Sequence, residues 1–236
     1  IVNNRMYATD QSGGFWQIDV NTGKTRAYIH LGLATTYQPF AINEQLVGFV
    51  SNKGAVIAID TESFSEKWRI ETEELAEPEL PQVDRNFIYF ADRNQMVYVA
   101  DSATGKLLWK KSFSSSKEER VFAEIKPVEY TPFYTDETSL YVGNRTSNQL
   151  TRCQLLTGEC QLIRSNYDPN HQTMSIGNNI LTFTNTNQEY ELVELTSLKT
   201  LLQLHLSAPP INRAETTIFY WKKSISILTY RTQTTD

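Results

Sequence analysis

The sequence predicts an all-β protein assembled from repeated four-stranded units. Three observations predict it. The composition favours half-buried pleated surfaces, with 12 Tyr and 11 Phe beside many Thr and other β-branched residues. Segments with helical period and end caps are almost absent; the best, around "SKEERVFAEIKP" (116–127), would stop at Pro127. A hairpin pattern also recurs along the whole chain.

The hairpins carry the repeat. "FWQIDVNTGKTRAY" (15–28), "VIAIDTESFSEKWR" (56–69) and "VYVADSATGKLLWK" (97–110) superimpose without gaps and place Asp19, Asp60 and Asp101 at intervals of 41 residues. "LTRCQLLTGECQLI" (150–163) and "ELVELTSLKTLLQL" (191–204) continue the series, and "ISILTYRTQTTD" (225–236) is a last, partial copy. Asp at the end of a strand can accept backbone N–H bonds inside the turn that follows. Gly23, Gly105 and Gly158 supply the positive φ that such turns need. Phe64 and Leu198 stand where those copies have glycine, so the copies are not interchangeable.

Each hairpin follows a short apolar strand: "RMYATD" (5–10), "LVGFVS" (46–51), "FIYFAD" (87–92), "SLYVGN" (139–144) and "ILTFTN" (180–185). Proline-marked segments precede several of these, as in "YQPFAINE" (37–44), "LPQVDRN" (80–86) and "YTPFYTDET" (130–138). One unit therefore reads as four short strands with turns between them. At this repeat length that is the signature of propeller blades. The units run over 1–31, 36–70, 78–113, 128–164, 171–205 and 207–236, all within a single propeller-type domain, 1–236. The first lacks its opening strand and the last its closing strand. Two arrangements fit: a closed propeller in which the ends meet, or a piece of one with more blades. The unmatched end strands outnumber the four of one shared blade and favour the second. Spacing stretches from 41 to 53 residues between Gly105 and Gly158, so one connection is longer than its siblings.

A hydrophobic content of 40% and a charged content of 21% suit an ordinary soluble core. The net charge of −5 argues against nucleic acid as a partner, because phosphate binding needs a basic face. No apolar run is long enough for a transmembrane helix. The chain opens on Ile1 without a visible signal peptide, as a processed or trimmed chain would.

"DSATGKLLWK" (101–110), with its pattern of Asp-x-x-Thr-Gly-Lys followed by Trp, resembles the repeats of quinoprotein-type β-propellers. The resemblance covers most of the chain, but only the third hairpin carries every element. Trp68 and Trp109 occupy the Trp position, where the other copies place Ala27, Leu162 and Leu202. The resemblance implies that this Trp packs between neighbouring blades, a structural role; Leu107 is expected to face the neighbouring blade with Trp109. It also implies a choice of function. Large dehydrogenases of the family bind pyrroloquinoline quinone with calcium and usually carry an adjacent-cysteine disulfide. Cofactor-free members act as scaffolds, such as the outer-membrane assembly lipoproteins of the BamB type. More distant relatives are the lumenal sensing domains of unfolded-protein-response kinases, to which "TPFYTDETSLYVGNRTSNQLTRCQLLTGE" (131–159) is similar in texture.

The residues argue against the enzymatic branch. Cys153 and Cys160 are not adjacent, no Asp-x-Asp-x-Asp-Gly loop occurs, and His30, His171 and His205 have no metal-ligand spacing. Gly-x-Ser-x-Gly, His-Glu-x-x-His and phosphate-cradling glycine loops are missing too. Neither catalytic residues nor a cofactor are expected, and the carboxylates read as solvated.

Aligned on the third hairpin, Cys153 and Cys160 replace Ala100 and Leu107 and face each other directly, within reach of a disulfide. A bond there implies an oxidising compartment such as a periplasm, a secretory lumen or the cell exterior; unbonded, the pair fills space as small apolar residues. Asn144-Arg145-Thr146 fits the N-glycosylation acceptor pattern, which matters only in a eukaryotic source.

Three stretches are candidates for interaction. "ETEELAEPELP" (71–81) groups Glu73, Glu74 and Glu77 with two further glutamates, as a solvated loop or a surface for a basic partner. "SFSSSKEERVFAEIKPVEY" (112–130) is the long connection and holds Lys117, Glu118, Glu119, Arg120 and Phe122; loops longer than their siblings often carry binding. "TTIFYWKKSISILTY" (216–230), with Tyr220 and Trp221, is an exposed-edge candidate for pairing with another copy or an extended peptide, unless Lys222 and Lys223 act as gatekeepers. The expectation is a non-enzymatic protein-interaction propeller outside the cytosol, first as an envelope assembly scaffold. The alternatives are an oligomerising lumenal stress sensor and a fragment of a quinone-dependent dehydrogenase.

Overall fold

A computed structural model describes residues 1–35, 38–72, 81–92, 95–113, 133–144, 147–168, 174–205, 216–221 and 224–229, the last two segments by backbone alone. All regular structure among these residues is β. The chain forms two compact units, Ile1–Thr131 with Gln154–Glu159, and Pro132–Cys153 with Cys160–Asp236.

The first sheet has three strands, β1 (Arg5–Thr9), β2 (Gly14–Asp19) and β3 (Thr25–His30). The second is β4 (Phe40–Ala41), β5 (Leu46–Val50), β6 (Ala55–Asp60) and β7 (Glu66–Glu71); the third is β8 (Gln82–Asp84), β9 (Phe87–Ala91), β10 (Met96–Asp101) and β11 (Leu107–Ser112). The fourth is β12 (Phe133–Thr135), β13 (Ser139–Asn144), β14 (Gln149–Gln154) and β15 (Cys160–Arg164). The fifth is β16 (Ser175–Gly177), β17 (Ile180–Thr184), β18 (Glu189–Glu194) and β19 (Thr200–His205). The last pair is β20 (Thr216–Trp221) and β21 (Ser224–Thr229); the rest of its predicted hairpin, 230–236, lies outside the described residues. Consecutive strands are neighbours in every sheet, so each sheet is a meander.

Burial explains the sequence pattern of the strands. The second sheet is sandwiched between its neighbours, and its middle strands are apolar on both faces. Ala55, Ile57 and Ile59 of β6 pack with Phe15 of the first sheet. Val56 and Ala58, pointing the other way, pack with Ile88, Phe90 and Tyr98 of the third. "AVIAI" is therefore a continuous apolar run, not an alternating one. Outer strand β7 has one wet face and does alternate, burying Trp68 and Ile70 between exposed charged residues. Each large aliphatic buried in this way stabilises by roughly 1.5–3 kcal/mol. In the second unit, β13, β14, β17 and β18 supply Tyr141, Leu150, Leu181, Phe183 and Val193 to one core.

Among the described residues, the third and outermost strands of each of the first five sheets pair through a bulge. In the first, second, third and fifth it falls one pair beyond the turn, between Gln17/Ile18, Ala58/Ile59, Val99/Ala100 and Leu192/Val193. In the fourth it is displaced to Leu150/Thr151. This displacement corrects the reading of the outer strand: Leu162, aligned with the tryptophans, is 49% exposed, and Ile163 is buried in its stead. Leu107, expected against a neighbour, is 40% exposed. The fifth hairpin fits one residue earlier than its sequence window, with Glu194 in the Asp position and Leu198 at φ 55° in the glycine position.

Candidate functional site

The hairpin turns are built as their residues require. Asp19 Oδ1 accepts the N–H groups of Asn21 (3.0 Å) and Thr22 (2.9 Å). Asp60 Oδ1 accepts those of Glu62 (3.0 Å) and Ser63 (2.8 Å). Asp101 Oδ1 accepts the N–H and hydroxyl of Thr104 at 2.8 and 2.7 Å. These bonds favour the ionised carboxylates and hold all three below the usual range; for Asp19 the Thr22 N–H leads, followed by the Arg26 guanidinium. Gly23, Gly105 and Gly158 take φ of 66°, 68° and 70°.

In the first unit two of these turns also seat an indole. Trp68 donates its indole N–H to Ser102 O (3.2 Å), and Trp109 donates to Leu155 O (2.9 Å). A Cβ on Gly105 would lie 2.7 Å from the Trp68 ring, and one on Gly158 2.7 Å from that of Trp109. Glycine is thus required twice, by φ and by the indole. Where the Trp position holds Ala27, the turn of the second sheet carries the bulk, and the Phe64 ring lies 5.3 Å from that of Phe15, tilted by 30°. Thr61 O, in the place of Ser102 O and Leu155 O, takes hydrogen bonds from Arg5 and Gln17, each at 2.9 Å.

The second unit holds a polar joint. Arg164 reaches Glu191 (3.2 Å), Leu198 O (3.1 Å) and Thr200 Oγ1 (2.9 Å). Glu191, buried, also accepts from Asn166 (3.0 Å) and Asn185 (2.9 Å). It is no solvated carboxylate, and nothing in its local sequence announces that. A second series of side-chain caps also escaped the sequence reading. Asp10, Ser51, Asp92, Asn144 and Asn185 end the five short apolar strands, and each accepts a backbone N–H from the next turn. The signal was present as a terminal Asp, Ser or Asn in every copy.

A cleft of about 710 Å³ opens in the first unit between the β1–β2 turn and the connection into β4. Tyr7, Thr9, Asp10, Gln38 and Asn52 line it with hydroxyl, amide and carboxylate groups. Bonds from the Gly14 N–H and the Ser12 hydroxyl hold the Asp10 carboxyl below its ordinary range. Thr35 donates to Asp10 O (3.0 Å) and closes one wall. These are groups that hydrogen-bond a peptide backbone. Among the described residues, no three His, Cys, Asp or Glu are grouped to hold a metal ion.

Cys153 and Cys160 form a disulfide across directly paired positions of β14 and β15, the bonded one of the two states left open by the sequence. Asn144 is 6% exposed, and its Oδ1 accepts from Ser147 N (2.9 Å); Arg145 and Thr146, which complete the acceptor pattern, lie outside the described residues. Glu73, Glu74, Glu77, Lys117, Glu118, Glu119, Arg120 and Phe122 lie outside the described residues, as does the helical candidate 116–127. Tyr220 and Trp221 lie on β20, described by its backbone alone. His171 is likewise outside; His30 is exposed, and exposed His205 lies 3.9 Å from Glu189.

Four-stranded meanders, Asp–Gly hairpin turns and indoles seated on the next turn define these sheets as blades of the quinoprotein-type β-propeller class. The chain belongs to the family of the outer membrane protein assembly factor BamB, whose sequence profile matches residues 1–197. Similar solved structures include BamB from Moraxella catarrhalis, at 15% identity and a TM-score of 0.59 over 97% of this chain and 65% of that one. The computationally designed Ika8 protein is similar at 13% identity and a TM-score of 0.56, over 96% of this chain and 65% of that one. So is dihydro-heme d1 dehydrogenase NirN in complex with DHE, at 13% identity and a TM-score of 0.58, over 96% of this chain and 49% of that one. The chain spans less than two thirds of each, and at these identities the likeness is one of fold. No curated protein sequence matches the chain.

Proposed function

We propose that the chain is a non-enzymatic protein-interaction propeller, 1–236 forming one domain, that works outside the cytosol as an envelope assembly scaffold. The family match over residues 1–197 carries this reading. The disulfide supports the compartment, since such bonds persist where the surroundings oxidise thiols. The cleft's hydroxyls and amides suit an extended peptide, and we assign further partner contact to Glu73, Glu74, Glu77, Phe122 and the charged residues beside it.

Photo-crosslinking residues placed singly at Gln38, Asn52, Glu77 and Phe122 in the source cell test the proposal. The expected result is an adduct with an outer-membrane assembly component from at least one position. No such adduct, together with saturable binding of pyrroloquinoline quinone, would establish the dehydrogenase reading in its place. Concentration-dependent dimers in sedimentation, without the adduct, would favour the lumenal sensor.

A further inference from the structure

The fourth hairpin lacks the device that fixes its siblings. Asp19, Asp60 and Asp101 each cap their own turn with a carboxylate, and Glu194 accepts the Ser197 hydroxyl in the fifth. The fourth has Gln154 there, and among the described residues no turn N–H reaches its side chain. The backbone frame is nonetheless the same: Gly158 N–H donates to Gln154 O (2.9 Å), as Gly105 N–H donates to Asp101 O (2.9 Å). This uncapped turn is also one that must stay put, because Leu155 O and Gly158 receive the indole of Trp109. The residues that bracket it, Cys153 before and Cys160 after, are the two joined by the disulfide, where the capped third hairpin has Ala100 and Leu107.

We propose that the Cys153–Cys160 bond is a redox-sensitive staple that replaces the missing carboxylate cap and holds the turn on which Trp109 is seated. A seven-residue separation closes a short loop, so the bond constrains the unfolded chain less than a long-range disulfide would. Its effect is local, on the order of the hydrogen bonds it substitutes for. Cys153 is buried and Cys160 half-buried, so a reagent enters at Cys160. In the reducing step a small dithiol gives up two electrons and two protons. The Cys153–Cys160 bond breaks to two thiols and the reagent closes to its own disulfide. The Trp109 seat then rests on a turn with neither staple nor cap.

Hydrogen exchange by NMR in the full chain tests this at the Gly158 amide and the Trp109 indole N–H, with Gly105 and Trp68 as internal references. Reduction with dithiothreitol is expected to speed exchange at the first pair by about tenfold, the loss of roughly one hydrogen bond, and to leave the references within about twofold. Gln154→Asp, which restores the cap, returns the reduced protein to its oxidised rates. Cys153→Ala with Cys160→Leu, the residues of the third hairpin, exchanges as fast as the reduced protein regardless of redox state. The proposal is overturned by unchanged exchange on reduction, by equal acceleration at the references, by no rescue from Gln154→Asp, or by a slow Ala/Leu variant.

Discussion

The Trp68 indole rests on the α-carbon of Gly105, so closely that a Cβ there would come within 2.7 Å of the ring. Gly23, at the same place in its own turn, has nothing within 4 Å of a built Cβ. Both have positive φ, so alanine strains either backbone by about 1–2 kcal/mol. Only at Gly105 must an indole also shift. Gly105→Ala is therefore expected to cost about 2–4 kcal/mol and Gly23→Ala about half of that. Urea unfolding of both variants measures the difference, and equal losses would show that the indole yields freely.

The same indole separates packing from hydrogen bonding. Trp68→Phe keeps most of the buried ring but leaves Ser102 O without its 3.2 Å donor, an expected loss of about 1–2 kcal/mol. Trp68→Ala removes the ring as well and is expected to cost about 3–5 kcal/mol. A phenylalanine variant as unstable as the alanine one would assign the joint to the N–H rather than to the ring.

Much of this was legible in the chain because it is local. Asp-x-x-Thr-Gly specifies a turn within five residues, and alternation specifies a strand's faces. The pairing of Cys153 with Cys160 followed from counting across a short turn. What failed was set at a distance or by a one-residue shift. The displaced bulge that exposes Leu162 and buries Ile163 leaves no local mark. Glu191 looks like any strand carboxylate until Arg164, 27 residues earlier, is brought against it. The swap of Trp–Gly for Ala27 and Phe64 becomes readable only once one hairpin's outer strand is known to meet the next hairpin's turn.

Arg164 and Glu191 form a pair whose partners cannot be removed equally. Their side chains are 16% and 5% exposed. Arg164→Leu leaves a buried carboxylate with only the Asn166 and Asn185 amides, and is expected to cost about 3–5 kcal/mol. Adding Glu191→Leu is expected to recover much of that loss, since replacing both charges by apolar residues is often near neutral. Thermal unfolding of the single and double variants provides the comparison. A double variant no better than Arg164→Leu would mean that the amide network, not the ion pair, organises the joint.

Acid should loosen the capped turns together. Asp19, Asp60 and Asp101 have folded-state pKa values below the unfolded value of about 3.9. At pH values above the unfolded pKa both states are ionised and the caps contribute in full. As pH falls through the depressed folded values, the native state must take up protons that break the bonds to Thr22, Ser63 and Thr104, and the contribution is lost. The melting temperature is therefore expected to be nearly flat from pH 7 to 5 and to fall below about pH 4. Asp101→Asn supplies the control, because asparagine keeps an Oδ1 acceptor for Thr104 but does not titrate. That variant is expected to melt with a shallower acid slope than the parent; an identical slope would dissociate the Asp101 cap from acid sensitivity.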